Sequence, residues 1–193
     1  MSLPDLDRRL LLAAGFSLGA GGLACAQLPP VQRTTAMTAA HDFDFMHGSW
    51  EVTNRRLMAR GVGSSDWEVF PSTETAQLLM AGTVSIDEAT FPTKGFKGMS
   101  LRLYDPAKDH WAVYWINSKD GQLQPPVFGR FRDGRGVFAG DDMDGDKPIK
   151  VLFDWSGTDT ATPRWSQAFS YDGGKTWETN WIMEFRRPEA RRG

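Results

Sequence analysis

Five short strings, DPAKD (105–109), KDG (119–121), RDGRG (132–136), MDGD (143–146) and YDGG (171–174), punctuate the chain between apolar segments. An Asp-Gly pair supplies the positive φ that a tight hairpin turn demands, and glycine meets that demand without a steric cost. The segments on either side alternate apolar and polar residues, the period of a half-buried strand. SWEVTNRRL, DWEVF, TAQLLMAGTVSI, MSLRLYD, HWAVYWIN, PVFGRF, GVFAGDD, PIKVLFDW, RWSQAFS and TWETNWIMEF are the candidate strands, and none carries three helical turns. Strands joined by such turns pair with their chain neighbours as an antiparallel meander. About ten strands are too many for one flat twisted sheet of this size, and closure removes both edges. The expected fold is therefore all-β: a closed antiparallel up-and-down barrel of about ten strands.

The start of the chain is of a different kind. MSLPDLDRRLLLAAGFSLGAGGLACAQ has the charge, the apolar run and the small-residue cleavage site of an export signal, with Ala24-Cys25-Ala26 before Gln27. The run from Leu10 to Ala24 is short and carries Gly15, Gly19, Gly21 and Gly22, which disfavours a permanent membrane anchor. Arg8-Arg9 followed by Leu11 and Leu12 resembles a twin-arginine signal, with Asp7 and Ala13 departing from the preferred flanks. A lipoprotein signal wants Leu three places before Cys25, where Gly22 stands. The expected organisation is an export signal over 1–26, a linker over 27–40, a β-barrel over 41–188 and a basic tail over 189–193. A periplasmic or secreted mature protein follows, cleaved after Ala26.

Cys25 is the only cysteine and lies inside that signal, so the mature chain is expected to use neither disulfide nor thiol chemistry. The formal net charge of −2 is unchanged by removing a leader that holds Asp5, Asp7, Arg8 and Arg9. Such a balance does not suggest a nucleic-acid binder. His41, His47 and His110 show no paired metal-ligand spacing. DDMDGD imitates a calcium loop, yet placing Gly145 at the sixth loop position puts Gly140 first and Val151 twelfth, where a carboxylate is needed. No G-x-S-x-G, H-E-x-x-H or phosphate loop is present, and neither metal nor cofactor is expected.

SYDGGKTW (170–177) resembles the aspartate-box of sialidase-type propellers, S-x-D-x-G-x-T-W. Those propellers repeat the box at blade intervals, and this chain has one. At roughly 40 residues per blade and at least four blades, a propeller would nearly exhaust the chain. The string is better read as a hairpin in which Asp172 accepts local backbone N–H groups while Gly173 and Gly174 take unusual dihedrals.

Gly48-Ser49-Trp50, in HDFDFMHGSWEV, resembles the G-x-W that opens the first strand of lipocalins, fatty-acid-binding proteins and other calycins. In calycins an arginine near the end of the last strand packs on that tryptophan and closes the barrel floor. Within EFRR, Arg187 shares parity with Trp181, Met183 and Phe185 and is the candidate, with Arg186 second. An indole face can cover a guanidinium plane while the latter's N–H groups satisfy nearby carbonyls. Residues 41–187 also resemble a bacterial lipocalin-like family of uncharacterised proteins, through DFDF, LRLYDP, YWINS, PPVFGRF, RWSQAFSYDGG and TWETNWIMEF. That resemblance implies a fold and no activity. The chain departs from better-known relatives in lacking the helix pair of fatty-acid-binding proteins, the C-terminal helix of classical lipocalins and the late-strand histidine of nitrobindin-like barrels.

Eight tryptophans in one domain supply the functional signal. Parity puts Trp111, Val113, Trp115 and Asn117 on one strand face; Val151, Phe153 and Trp155 on a second; Trp165, Gln167 and Phe169 on a third; and Trp177, Thr179, Trp181 and Met183 on a fourth. Glu178 and Asn180 then lie outside, or form a polar wall if that parity is inverted. Indoles filling a core is the plain alternative. As a set, with amides on the same faces, they describe a cavity with a few fixed polar groups. The expected ligand site is Trp115, Asn117, Trp155, Trp165, Gln167 and Trp181, its partner a small hydrophobic or aromatic molecule. Two other readings stand: a cofactor-free lyase, isomerase or hydratase on the same scaffold, and a structural or partner-binding protein with a filled core.

Overall fold

The computed structural model describes residues 39–189. The expected signal over 1–26, residues 27–38 of the linker and residues 190–193 of the tail lie outside the described residues. Ten antiparallel strands close into a barrel: β1 (Gly48–Leu57), β2 (Trp67–Leu79), β3 (Val84–Phe91), β4 (Phe96–Asp105), β5 (His110–Asn117), β6 (Val127–Arg132), β7 (Arg135–Asp144), β8 (Lys147–Ser156), β9 (Arg164–Ser170) and β10 (Glu178–Arg186). Each pairs with its chain neighbours, and β1 pairs with β10 to shut the ring, giving an up-and-down, lipocalin-like barrel. Among the described residues no helix is long and apolar enough to cross a membrane.

The Asp-Gly strings sit where tight turns are needed. Asp133 (φ 50°) and Gly134 (φ 74°) form the two-residue loop between β6 and β7, both in the left-handed region that such hairpins require. Gly145 (φ 63°) opens the equivalent loop between β7 and β8. The DDMDGD string is thus hairpin, and Asp144 within it accepts hydrogen bonds from Arg60 Nη2 at 2.6 Å and the Tyr171 hydroxyl at 2.7 Å. In SYDGGKTW, Asp172 accepts from the N–H groups of Lys175 (3.0 Å) and Thr176 (2.9 Å) and from the Thr176 hydroxyl (2.7 Å). Those donors pull its carboxyl down to about 2.

Strand segmentation differs from expectation at one corner. DWEVF and TAQLL are the two ends of a single 13-residue strand, β2, which runs through Pro71. Pro71 is opposite Thr53 of β1, and the ladder to β3 starts only at Thr73, so the missing N–H falls where β2 has a free edge. TAQLLMAGTVSI is instead cut by a turn at Met80–Gly82, where Met80 (φ 50°) and Ala81 (φ 55°) adopt a conformation that non-glycine residues seldom announce.

One end of the barrel is stoppered by the segment leading into β1. Phe43, which precedes a 3-10 turn at Asp44–Met46, and Met46, its last residue, are fully buried. Phe43 meets Trp111 edge to face at 4.9 Å, Phe131 at 5.0 Å and Trp155 at 6.4 Å. Ala39 and Ala40, expected in the linker, belong to this plug: Ala40 is buried and the Ala39 carbonyl accepts from Trp111 Nε1 at 3.2 Å. An indole N–H facing a sealed barrel end needs such a partner.

Trp50 is 3% exposed and its Nε1 donates to the Met46 carbonyl at 2.7 Å. Arg187 lies over the indole, its Cζ 3.5 Å from the ring centroid, and donates to the carbonyls of Ser49 (3.2 Å) and Phe45 (2.9 Å). Gly48, at φ 96°, carries no Cβ to press on Arg187 Nη1, which would lie 3.2 Å away. Plug, first strand and chain end are thereby joined at one point.

Candidate functional site

Above the plug the barrel encloses a cavity of about 120 Å³. That is several times the space one water needs, and close to the roughly 150 Å³ that takes a single benzene ring. It is well below the roughly 300 Å³ at which drug-sized pockets begin. A cavity of that size is on the scale of one small ring.

Trp115, Trp155, Trp165, Gln167 and Trp181 all line this space. Trp155 is also part of the floor, packed on Phe45 (5.3 Å) and Phe185 (5.2 Å). Trp165 and Trp181 stand nearly perpendicular, 5.9 Å apart at 79°, and make a corner from β9 and β10. Trp181 is held by its own hydrogen bond, Nε1 to Asn54 Oδ1 at 3.0 Å. Trp115 enters from β5 and rests against Gly98 of β4: a Cβ there would lie 1.9 Å from Trp115 Cη2. Glycine is required at 98 because the indole occupies a side chain's place.

Asn117 does not line the cavity. It ends β5 and shapes the turn beyond it, its Oδ1 accepting from the Lys119 N–H at 3.0 Å and its carbonyl from the Gly121 N–H at 2.7 Å. Trp177 is 41% exposed and Thr179 is exposed, although both share sequence parity with Trp181. The cause is a bulge: the β10–β9 register shifts between Thr179 and Trp181. An extra residue in one strand reverses the faces on its two sides. Asn180, expected outside, is therefore fully buried, and its Oδ1 accepts from Gln167 Nε2 at 2.8 Å. The amide of Gln167 is thus fixed at the cavity wall. Glu178, opposite Phe169 of β9, accepts from the Gly61 N–H at 2.8 Å.

The cavity also has an ionisable wall that parity arguments missed. Glu74 of β2 and Arg102 of β4 line it, 4% and 3% exposed, with Asp87 of β3 buried between them. Arg102 and Asp87 form an ion pair, Arg102 Nη1 donates to the Ser85 hydroxyl at 3.3 Å, and the Ser100 N–H donates to Asp87 Oδ1 at 3.2 Å. Arg102 also covers the Phe43 ring at 4.9 Å, and its Nε is buried without a hydrogen-bond partner among the described residues. Glu74 makes no ion pair of its own there. Burial, and then the Asp87 carboxylate, hold its carboxyl well above the usual range, against the weaker pull of Arg102. The wall therefore carries a paired aspartate and arginine beside a carboxyl whose charged form burial disfavours.

These residues escaped notice because hydrophobic alternation is reversed on β3 and β4. Ser85, Asp87, Ser100 and Arg102 point inward, while Val84, Ile86, Met99, Leu101 and Leu103 lie on the other face. The signal that finds them is the hairpin. Residues directly opposite across an antiparallel pair share a face. From the DPAKD turn, Tyr104 faces Trp111, Arg102 faces Val113 and Ser100 faces Trp115.

Asp42, in the plug, is a further perturbed carboxyl: burial raises it to about 6, against a hydrogen bond from Trp111 Nε1 at 3.3 Å. It lies with the floor and is not among the cavity's lining residues. No family model matches the chain, and no curated protein matches it either.

Proposed function

We propose that this is an exported binding protein of the lipocalin-like group, holding one compact hydrophobic or aromatic molecule among Trp115, Trp165 and Trp181. The observation that carries the reading is the cavity itself: about 120 Å³, walled by four indoles from separate strands and furnished with a fixed amide at Gln167. Membership of the lipocalin-like group is supported by the Gly48-Ser49-Trp50 opening with Arg187 stacked on its indole. Export is supported by the sequence of residues 1–26. Burying the ligand at roughly 25 cal/mol per Å² of apolar surface contributes several kcal/mol, of which only the surplus over binding costs becomes affinity. Dissociation constants in the micromolar range are expected.

The test is a titration of tryptophan emission with 4-nitrotoluene, a neutral single-ring probe, beside a sixteen-carbon fatty acid as the oversized control. The reading expects saturable quenching by the probe, weakened in Trp115→Ala and Trp165→Ala variants that remain folded, and none by the fatty acid. Unsaturable quenching, the same in all three proteins, would overturn it.

Glu74 favours a second reading, a cofactor-free acid–base enzyme, because a carboxyl raised by burial at a cavity wall is suited to donating or accepting a proton. Turnover of a bound compound, lost in Glu74→Gln while binding persists, separates the two.

A further inference from the structure

We propose that the molecule held in the cavity carries a positive charge, an organic ammonium or protonated amine on a compact apolar body, and that Glu74 is its counter-ion. The inference rests on the binding function proposed above and names the ligand's chemical class. Four indoles bound one space, Trp165 and Trp181 forming a near-right-angled corner. Indole faces attract cations, and do so more strongly when water is excluded. That alone would suit a neutral ring equally well, and the carboxyl decides between them.

Glu74 lines the same cavity and has no cation of its own among the described residues. The one guanidinium on the wall, Arg102, is taken by Asp87. The groups facing Glu74 are thus Asp87 from β3 and Arg102 from β4, a pair of zero net charge. From β1 the residues of inward parity are Trp50, Val52, Asn54 and Arg56; only Arg56 is charged, and it pairs with Glu68 at 2.9 Å while its guanidinium lies over the Trp181 ring at 5.3 Å. Asp141 and Asp142 of β7 also line the cavity, Asp141 paired with Lys150 at 2.5 Å. An anionic guest would meet the carboxyls of Glu74 and Asp142, with only the unpartnered Nε of Arg102, a guanidinium already paired with Asp87, to hold it. A cationic guest meets aromatic faces and the one buried group that can become negative on demand.

The proton balance follows from this arrangement. In the empty protein burial, and then the neighbouring Asp87 carboxylate, favour the protonated form of Glu74. A quaternary ammonium entering beside it removes that penalty, the carboxyl O–H bond breaks, and one proton passes to solvent for each cation bound. Affinity for such a ligand therefore rises with pH, by up to about tenfold per pH unit while free Glu74 stays protonated and bound Glu74 is ionised.

Calorimetric titration with phenyltrimethylammonium and with its uncharged carbon isostere, tert-butylbenzene, tests this. The expected result is about tenfold or greater preference for the cation at neutral pH. Proton release, read from the buffer dependence of the heat, should accompany the cation alone. Glu74→Gln, which replaces the neutral acid by a neutral amide, should lose the preference and the release while still binding the isostere. Should that variant not fold, the isostere comparison and proton count on the unaltered protein decide the matter alone. Equal binding of the two compounds, or preference for the neutral one, overturns the charge assignment and leaves the binding function standing. Failure of both compounds to bind overturns both.

Discussion

Truncating Trp50 to alanine tests the point where plug, first strand and chain end are joined. The indole is 3% exposed. About 200 Å² of aromatic surface removed from water at roughly 25 cal/mol per Å² is about 5 kcal/mol, an upper value because the unfolded chain already hides some of it. The Met46 carbonyl also loses its donor at 2.7 Å, for about 1 kcal/mol, while partial collapse of the vacated space returns some of the loss. Trp50→Ala should cost about 4 kcal/mol, within the usual range of about 3–5 for emptying a buried aromatic site. Arg187 is largely exposed, so Arg187→Ala should cost less, about 1–2 kcal/mol for its stack and two carbonyl contacts. Arg187→Lys should behave like the alanine variant, since an ammonium cannot lie flat on the ring and reach both carbonyls. Urea melts of the two single variants and the double variant give the coupling, expected at about 0.5–1 kcal/mol or more. A Trp50→Ala cost under about 0.5 kcal/mol, or strict additivity in the double variant, would falsify the claim that this contact secures the floor.

Gly98→Ala places a Cβ 1.9 Å from Trp115 Cη2, so the indole must leave its seat; we expect a loss of about 1–3 kcal/mol in the same melts and weaker quenching by 4-nitrotoluene, and unchanged values in both would refute the seating. Stability should decline as pH rises from mildly acidic to neutral. Asp42, raised to about 6 from 3.8, and Glu74, raised above 4.5, hold protons in the folded state that the unfolded chain has already released. Asp172, lowered to about 2, works the other way, its contribution present above 3.8 and lost as pH falls towards 2. A melting temperature that climbs steadily from about pH 5 to about pH 8 would contradict this, and Glu74→Gln should flatten part of the decline. Protein recovered from the periplasm should have the intact mass of a chain beginning at Gln27; a lipid on Cys25 or a retained leader would refute the export reading.

Strand number, antiparallel order and ring closure were legible in the sequence because they rest on local chemistry. Asp-Gly pairs take backbone conformations that few other residues accept, and period-two alternation marks the segments between them. The glycine-tryptophan opening and the late arginine were legible through their resemblance to calycins, and Arg187 lies over the Trp50 indole. Only the tertiary structure decided which face of each strand became the inside. On β10 one extra residue at Asn180 reversed the faces, exposing Trp177 and burying an amide expected on the surface. Over residues 84–87 of β3 and 99–103 of β4 the apolar residues lie outward, and Asp87 and Arg102 go inside because the hairpin register to β5 outweighs the preference of single side chains. A one-residue register slip would turn every side chain of the strand at once. Glu74 gains its proton, and the cavity its chemistry, from neighbours on strands distant in the chain, and no stretch of sequence short enough to read as a motif contains them all.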